Sequence, residues 1–282
     1  MENVHIEKVD ILRVDRSSRV EKKDLVAIEE PMEIRLVHGP LEQRQRLRLS
    51  VTMRTPGDDF ELAAGFLFSE GVIKGIDEIL HIEYCPNETS ATKENVVRVH
   101  LKPEVKLDKE RLDRNFLTSS ACGLCGKTSI ESVFNTYTPA VKNSDIRLNA
   151  ALVYSLIQKS RQQQQTFERT GGLHAAAIFD STGDLLLIRE DIGRHNAVDK
   201  VIGAAMSSDL DFSLDQNILL LSGRAGFELI QKATLAGIQV VAAVGAPSSL
   251  AIQLAKESDM TLIGFLREGR FNIYSGKERF SG

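Results

Sequence analysis

The second half of this chain restricts its fold more than any other stretch. Three short apolar runs, 217–221, 240–244 and 261–265, alternate with segments of helical character at 226–236 and 248–256. An unbroken apolar run of strand length is buried on both faces. Strands separated by helices pair in parallel beneath helical layers. The spacing therefore predicts an α/β/α core in the second half, with a smaller α+β part before it. Residues 175–179 and 185–188 flank Asp180-Ser181-Thr182-Gly183-Asp184, which predicts a hairpin, and 196–206 is read as a helix.

The first half has weaker signals. Residues 1–30 are polar, with charges of both signs, and read as an arm or first strand that needs tertiary support. Residues 34–37 and 47–53 read as strands, with 41–46 as a hairpin tip. Thr55 or Asp58 is expected to cap a helix over about 59–69, where Phe60, Ala63, Ala64, Leu67 and Phe68 recur at helical spacing. Residues 96–101 read as a strand, 108–115 and 128–135 as short helices, 139–145 as a linker, and 149–167 as one long helix. This divides the chain into an N-terminal part, 1–140, and a core, 146–282.

Composition excludes several classes. At 282 residues and 42% hydrophobic, the chain can bury a core without covalent staples. No apolar run approaches the ~18 residues of a membrane span, and the N-terminus lacks the basic start and apolar centre of a signal peptide. Three cysteines cannot all pair within one chain, so a cytoplasmic thiol protein is expected. A net charge of −4 argues against a general nucleic-acid binder.

Several segments beside the predicted elements combine glycine with polar or cationic groups. They are Thr170-Gly171-Gly172-Leu173-His174, Arg189 through Asn196 (containing Gly193, Arg194 and His195), Ser222-Gly223-Arg224, Gly245 through Ser249, and Arg267-Glu268-Gly269-Arg270. Ligands of such sheets bind where loops leave the carboxyl ends of strands. Small-residue turns before helices expose N–H groups to anions, and Arg194, Arg224, Arg267 and Arg270 supply forked donors for phosphate. Duller roles compete. His174 also reads as a satisfied, partly buried histidine, Asp191 as a helix cap, and Asp199 with Lys200 as a surface pair.

Cys122 and Cys125 lie in the glycine-rich stretch Ser119-Ser120-Ala121-Cys122-Gly123-Leu124-Cys125-Gly126-Lys127. Structural zinc needs four ligands, and here His174 and His195 would have to arrive from separate loops. A thioredoxin-like role lacks its surrounding architecture. A packing role fits poorly, because buried cysteines favour apolar runs. Sulfur relay stays allowed: glycines give access, and Lys127 or a helix start favours the thiolate.

Taken together, these motifs resemble the formate dehydrogenase accessory sulfurtransferase family, FdhD. The resemblance rests on Arg54-Thr55-Pro56-Gly57-Asp58, Ala64-Gly65-Phe66-Leu67, Cys122-Gly123-Leu124-Cys125-Gly126, Thr170 through His174, Glu190 through Lys200, Ser222-Gly223-Arg224, and Gly264 through Tyr274. It implies a cytidine-deaminase-like three-layer α/β/α core, a homodimer, and a cytoplasmic sulfurtransferase. Such a protein takes sulfane sulfur from a cysteine desulfurase, as a Cys122 persulfide, and delivers it to the molybdenum (or tungsten) bis(molybdopterin guanine dinucleotide) cofactor of formate dehydrogenase. Cys125 would assist or resolve. The phosphate-bearing ends would meet Gly172, Gly193, Arg194, Ser222, Gly223 and Arg224. Phe265, Leu266, Arg267, Glu268, Gly269 and Arg270 resemble the guanine-dinucleotide-binding stretch, and His174 and His195 would set pocket polarity or handle protons. No zinc, nucleic acid or membrane partner is expected. Deamination is not expected either, because His174-Ala175-Ala176 lacks the general acid/base glutamate of the zinc deaminases. The competing reading is a chaperone that binds and inserts the molybdenum cofactor without handling sulfur.

Overall fold

The computed structural model describes residues 5–85, 93–107, 145–208 and 213–281. Cys122 and Cys125, the helices expected at 108–115 and 128–135, and nearly all of the 139–145 linker lie outside the described residues.

The chain opens with an antiparallel ribbon, β1 (Ile6–Val14) and β2 (Arg19–Ala27). A mixed four-stranded sheet follows, of order β4-β3-β6-β5, from β3 (Glu30–His38), β4 (Gln45–Arg54), β5 (Ile79–Tyr84) and β6 (Val96–Leu101). Strand β5 was not expected from sequence, because its residues do not alternate cleanly. Helix α1 (Asp59–Ser69) lies between β4 and β5 in the chain.

The second half forms a six-stranded sheet of order β12-β11-β10-β9-β7-β8. Its strands are β7 (His174–Phe179), β8 (Leu185–Asp191), β9 (Ile218–Leu221), β10 (Val240–Ala243), β11 (Thr261–Arg267) and β12 (Arg270–Ser275). Strands β9, β10 and β11 are parallel, as the apolar runs predicted, and β7, β8 and β12 run antiparallel to their neighbours. Helices α2 (Ala150–Gln163), α3 (Gln165–Thr170), α4 (Arg194–Ser207), α5 (Phe227–Leu235) and α6 (Ser249–Glu257) complete the fold. Alternate strand residues face opposite layers. Ala176, Ile178, Leu219, Leu221, Val241 and Ala243 pack with α4, α5 and α6, whereas Ala177, Phe179, Ile218, Leu220, Val240 and Ala242 pack with α2. The core is thus a three-layer α/β/α arrangement. Among the described residues no helix is long and apolar enough to cross a membrane.

The helix expected over 149–167 is interrupted. Gln164 leaves the helical region at φ −82°, ψ 66°. Glu190, at the end of β8, accepts hydrogen bonds from Thr166 N (3.1 Å) and Phe167 N (2.9 Å), satisfying the first turn of a new helix. Neither Thr55 nor Asp58 caps α1 with its side chain: Asp58 holds the N-cap position in the left-handed region and makes no side-chain cap bond.

Helix α1 crosses α4 at two glycines. A Cβ on Gly65 would stand 1.9 Å from the Asp199 carbonyl oxygen, and one on Gly203 would stand 1.9 Å from that of Glu61. Only hydrogen side chains allow the backbones to approach so closely. Both helices contribute to one apolar cluster that also takes in Ile34, Leu36, Val97 and Val99 from the four-stranded sheet.

Asp199 and Lys200 are not a surface pair. Their positions on α4 place them against other elements, and both are buried. Asp199 pairs with Lys232 of α5 (2.8 Å) and accepts from Ser69 Oγ of α1 (2.7 Å). Burial alone would lower the Lys232 pKa, but the charge of Asp199 and then of Glu70 outweighs it and holds it above 10.5. Lys200 pairs instead with Asp191 (2.9 Å) and donates to the Thr55 carbonyl (2.9 Å).

Candidate functional site

The polar segments of the second half gather at one edge of the six-stranded sheet. Strands β9 and β10 end there in Ser222-Gly223-Arg224 and Gly245-Ala246-Pro247, while antiparallel β7 begins there at His174 and β8 ends there at Asp191. The two loops after β9 and β10 are laced together. Gly245 N donates to Gly223 O (2.7 Å), Ala225 N to Ala246 O (3.1 Å), and Ser248 N to Ala225 O (3.0 Å). A Cβ on Gly245 would meet the Arg224 backbone at 2.7 Å, so glycine is required for this approach.

These loops enclose a cavity of about 300 Å³ lined by Arg194, Arg224, Ala225, Gly226, Ala246, Pro247 and Ser248. Three helices start beside it. Gly193 precedes α4 and Gly226 precedes α5, neither with a side-chain cap, whereas Ser248 caps α6 by accepting from Ala251 N. Uncapped first-turn N–H groups together with two arginines make an electropositive recess suited to an anionic ligand. Arg194 is part-buried and Arg224 exposed.

Two histidines stand next to the recess. His174 is half-buried against Gly223, where an added Cβ would come within 3.2 Å of its Nδ1. Burial, then the charge of Arg194, push His174 below its ordinary 6.5, while Asp191 pulls weakly the other way. The imidazole is therefore neutral at pH 7. His195 Nε2 lies 2.6 Å from Glu228 Oε2 in the first turn of α5, and the second oxygen of Glu228 is buried with no hydrogen-bond partner among the described residues. Sequence reading missed Glu228, whose only signal was an acid in a helix's first turn.

The loop that displays Arg194 and His195 is held from beneath. Asp191 is closed to solvent and accepts from Gly193 N (2.8 Å), Asn196 Nδ2 (3.0 Å) and Thr55 N (3.2 Å) besides pairing with Lys200. It is not the cap of α4, whose N-cap is Gly193, but the anchor of the loop before that helix. Burial pushes its carboxyl above the ordinary 3.8 against the opposing pull of Lys200. Asn196 Nδ2 also donates to Met53 O (2.7 Å). Residues 52–59 thus form the underside of the site. Arg54 there is buried and forks onto Asp59 (3.0 and 2.9 Å).

The remaining candidates do not line the cavity. Ser222 is used by the sheet, its Oγ accepting from Ala175 N (2.8 Å). Gly172 is exposed, nearest Ala27 of β2, and does not line the cavity. Segment 265–270 forms the end of the β11–β12 hairpin, where Arg267 pairs with Arg270 across Glu268 and Gly269. Leu266 is fully buried in the core, so only its backbone is available to a ligand. Arg267 Nη1 bends back to the Val244 carbonyl (2.5 Å). Phe265 is 44% exposed at φ +52°, a costly conformation for an aromatic residue, with its N–H on Gly245 O (3.0 Å).

Comparisons with known proteins bear on the family and the fold. Residues 28–281 match the model of the FdhD/NarQ family. The sulfur carrier protein FdhD of Streptomyces avermitilis is 48% identical over 278 residues, covering 98% of this chain and 95% of that one. The protein of the same name from Mycobacterium tuberculosis is 45% identical, with 93% and 94% covered. That of Saccharolobus solfataricus is 39% identical, with 98% of each covered. A crystal structure from Desulfotalea psychrophila, described as a formate dehydrogenase accessory protein, shares the fold with a TM-score of 0.72 at 24% identity, over 98% of this chain and 100% of that one. With the family model spanning nearly the whole described fold, this chain belongs to the FdhD/NarQ family.

Proposed function

We propose that this chain is a sulfur carrier acting in the maturation of formate dehydrogenase. The observation that carries the reading is near-full-length similarity to three proteins named sulfur carrier protein FdhD, from two bacteria and Saccharolobus solfataricus. The electropositive recess supports it, since a carrier must hold an acceptor beside its thiol.

In this reading the Cys122 thiolate attacks the outer sulfur of a cysteine desulfurase persulfide. The donor's S–S bond breaks, its thiolate leaves, and a Cys122–S–S⁻ persulfide forms. The acceptor is the molybdenum or tungsten bis(molybdopterin guanine dinucleotide), bound as cargo. Its phosphates lie against Arg194, Arg224 and the first turns of α4 and α5, and its guanine ends near Phe265 through Arg270. Delivery as sulfide needs two electrons. Attack of the Cys125 thiolate on Cys122 supplies them, closing a Cys122–Cys125 disulfide as sulfide leaves to the metal. A cellular dithiol then resets the pair. Neutral His174 and the Glu228-held His195 set the polarity of the recess. The carrier works in the cytoplasm as a homodimer.

A chaperone that only holds the cofactor would use the same recess, so the cysteines separate the two readings. The test is intact mass after incubation with a cysteine desulfurase and cysteine. A gain of one sulfur, about 32 Da, reversed by thiol reductant and lost in Cys122→Ala, is expected. No gain, with guanine-nucleotide binding intact, would replace the carrier with the chaperone.

A further inference from the structure

On the outer side of the four-stranded sheet, far in sequence from the recess residues, three metal-ligating side chains meet. His81 and Glu83 are alternate residues of edge strand β5, so they share a face. His100 of β6 is the register partner of His81, and Arg98 is that of Glu83. The two imidazole rings stack with centroids 3.9 Å apart, and Glu83 Oε1 lies 3.2 Å from His100 Nε2. One ligand atom from each residue lies within 4.8 Å of the other two. We propose that His81, Glu83 and His100 form a binding site for a divalent transition ion, of which zinc is the type, with at least one coordination position left to water or an incoming ligand.

The donor set selects the ion. Two imidazole nitrogens and one carboxylate suit zinc and its first-row neighbours, whereas calcium and magnesium take oxygen ligands. Arg98 fixes the ligand from behind. Its Nη1 donates to Glu83 Oε1 (3.0 Å) while its Nη2 reaches Cys85 Sγ (2.7 Å), leaving Glu83 Oε2 for an ion. His81 makes no hydrogen bond among the described residues, and its ring is exposed, which gives an ion its entry path. Once bound, the ion ties edge strand β5 to β6. The sequence hid this site because His81 and His100 lie far apart along the chain and meet only through strand register.

The test uses the full chain carrying Cys122→Ser and Cys125→Ser, so that these thiols do not compete, stripped with chelator and titrated with zinc and with cobalt. Calorimetry should give one ion per chain, and the cobalt complex should lack thiolate charge-transfer bands. His81→Asn should weaken zinc binding by at least about tenfold, and His100→Asn likewise. His81 is exposed, so His81→Asn keeps the fold, checked by circular dichroism, and is the deciding variant. Absence of stoichiometric zinc in the parent chain, or full affinity in His81→Asn, overturns the proposal.

Discussion

Lys200 Nζ lies 2.9 Å from Asp191 Oδ2, and both side chains are closed to solvent. This pair joins helix α4 to the end of β8 directly under the loop that carries Arg194 and His195. Two charges so buried are stable only because each is further satisfied: the lysine by the Thr55 carbonyl, the aspartate by three N–H donors.

Removing one partner should therefore be costly. Lys200→Met is expected to lower the unfolding free energy by about 3–5 kcal/mol, because Asp191 is left charged and unpaired. Adding Asp191→Leu should recover only part of that loss, since Thr55, Gly193 and Asn196 would then lack an acceptor. Urea unfolding of the two variants measures both terms. A loss below about 1 kcal/mol in Lys200→Met would mean that the pair does not hold the loop.

The crossing of α1 and α4 gives a second expectation. Gly203→Ala places a methyl 1.9 Å from the Glu61 carbonyl oxygen, a backbone atom that cannot rotate away. The helices must separate, at a cost of about 3 kcal/mol, the upper end of ordinary overpacking. Thermal unfolding of Gly203→Ala beside Gly226→Ala, whose added Cβ meets nothing within 4 Å, isolates the steric effect.

His174 makes stability depend on pH. Its folded pKa is depressed below 6.5 by burial and Arg194, so the folded chain binds its proton less readily than the unfolded chain. Its contribution is complete above the unfolded value of about 6.5 and is lost as pH falls through the folded one. In an NMR titration the His174 midpoint should lie below 6.5 and should rise in Arg194→Ala. An unchanged midpoint in that variant would show that the arginine does not reach it.

Arg224 is exposed and lines the recess, so its charge can be removed without disturbing the core. Arg224→Ala should weaken binding of GDP by about 10–100-fold, the loss of one charged hydrogen bond at about 1.5–3 kcal/mol, while leaving the melting temperature unchanged. Equal affinity in wild type and variant would remove Arg224 from the proposed phosphate site.

What the sequence determined by itself was local or periodic. The apolar runs 217–221 and 240–244, and the helix over about 59–69, were legible because burial on both faces and a repeat near 3.6 residues leave direct marks in residue order. The glycine-and-arginine segments were legible too, since turns and helix starts have their own chemistry. What joined them was not. The recess exists because antiparallel pairing returns His174 and Asp191 to the edge where β9 and β10 end. Asp199 and Lys200, adjacent in the chain, diverge to different partners because neighbouring helix residues point about 100° apart. Glu228 reaches His195, and His81 reaches His100, only through helix packing and strand register. Those contacts are set by the close packing of whole elements, a property that no short window of sequence contains.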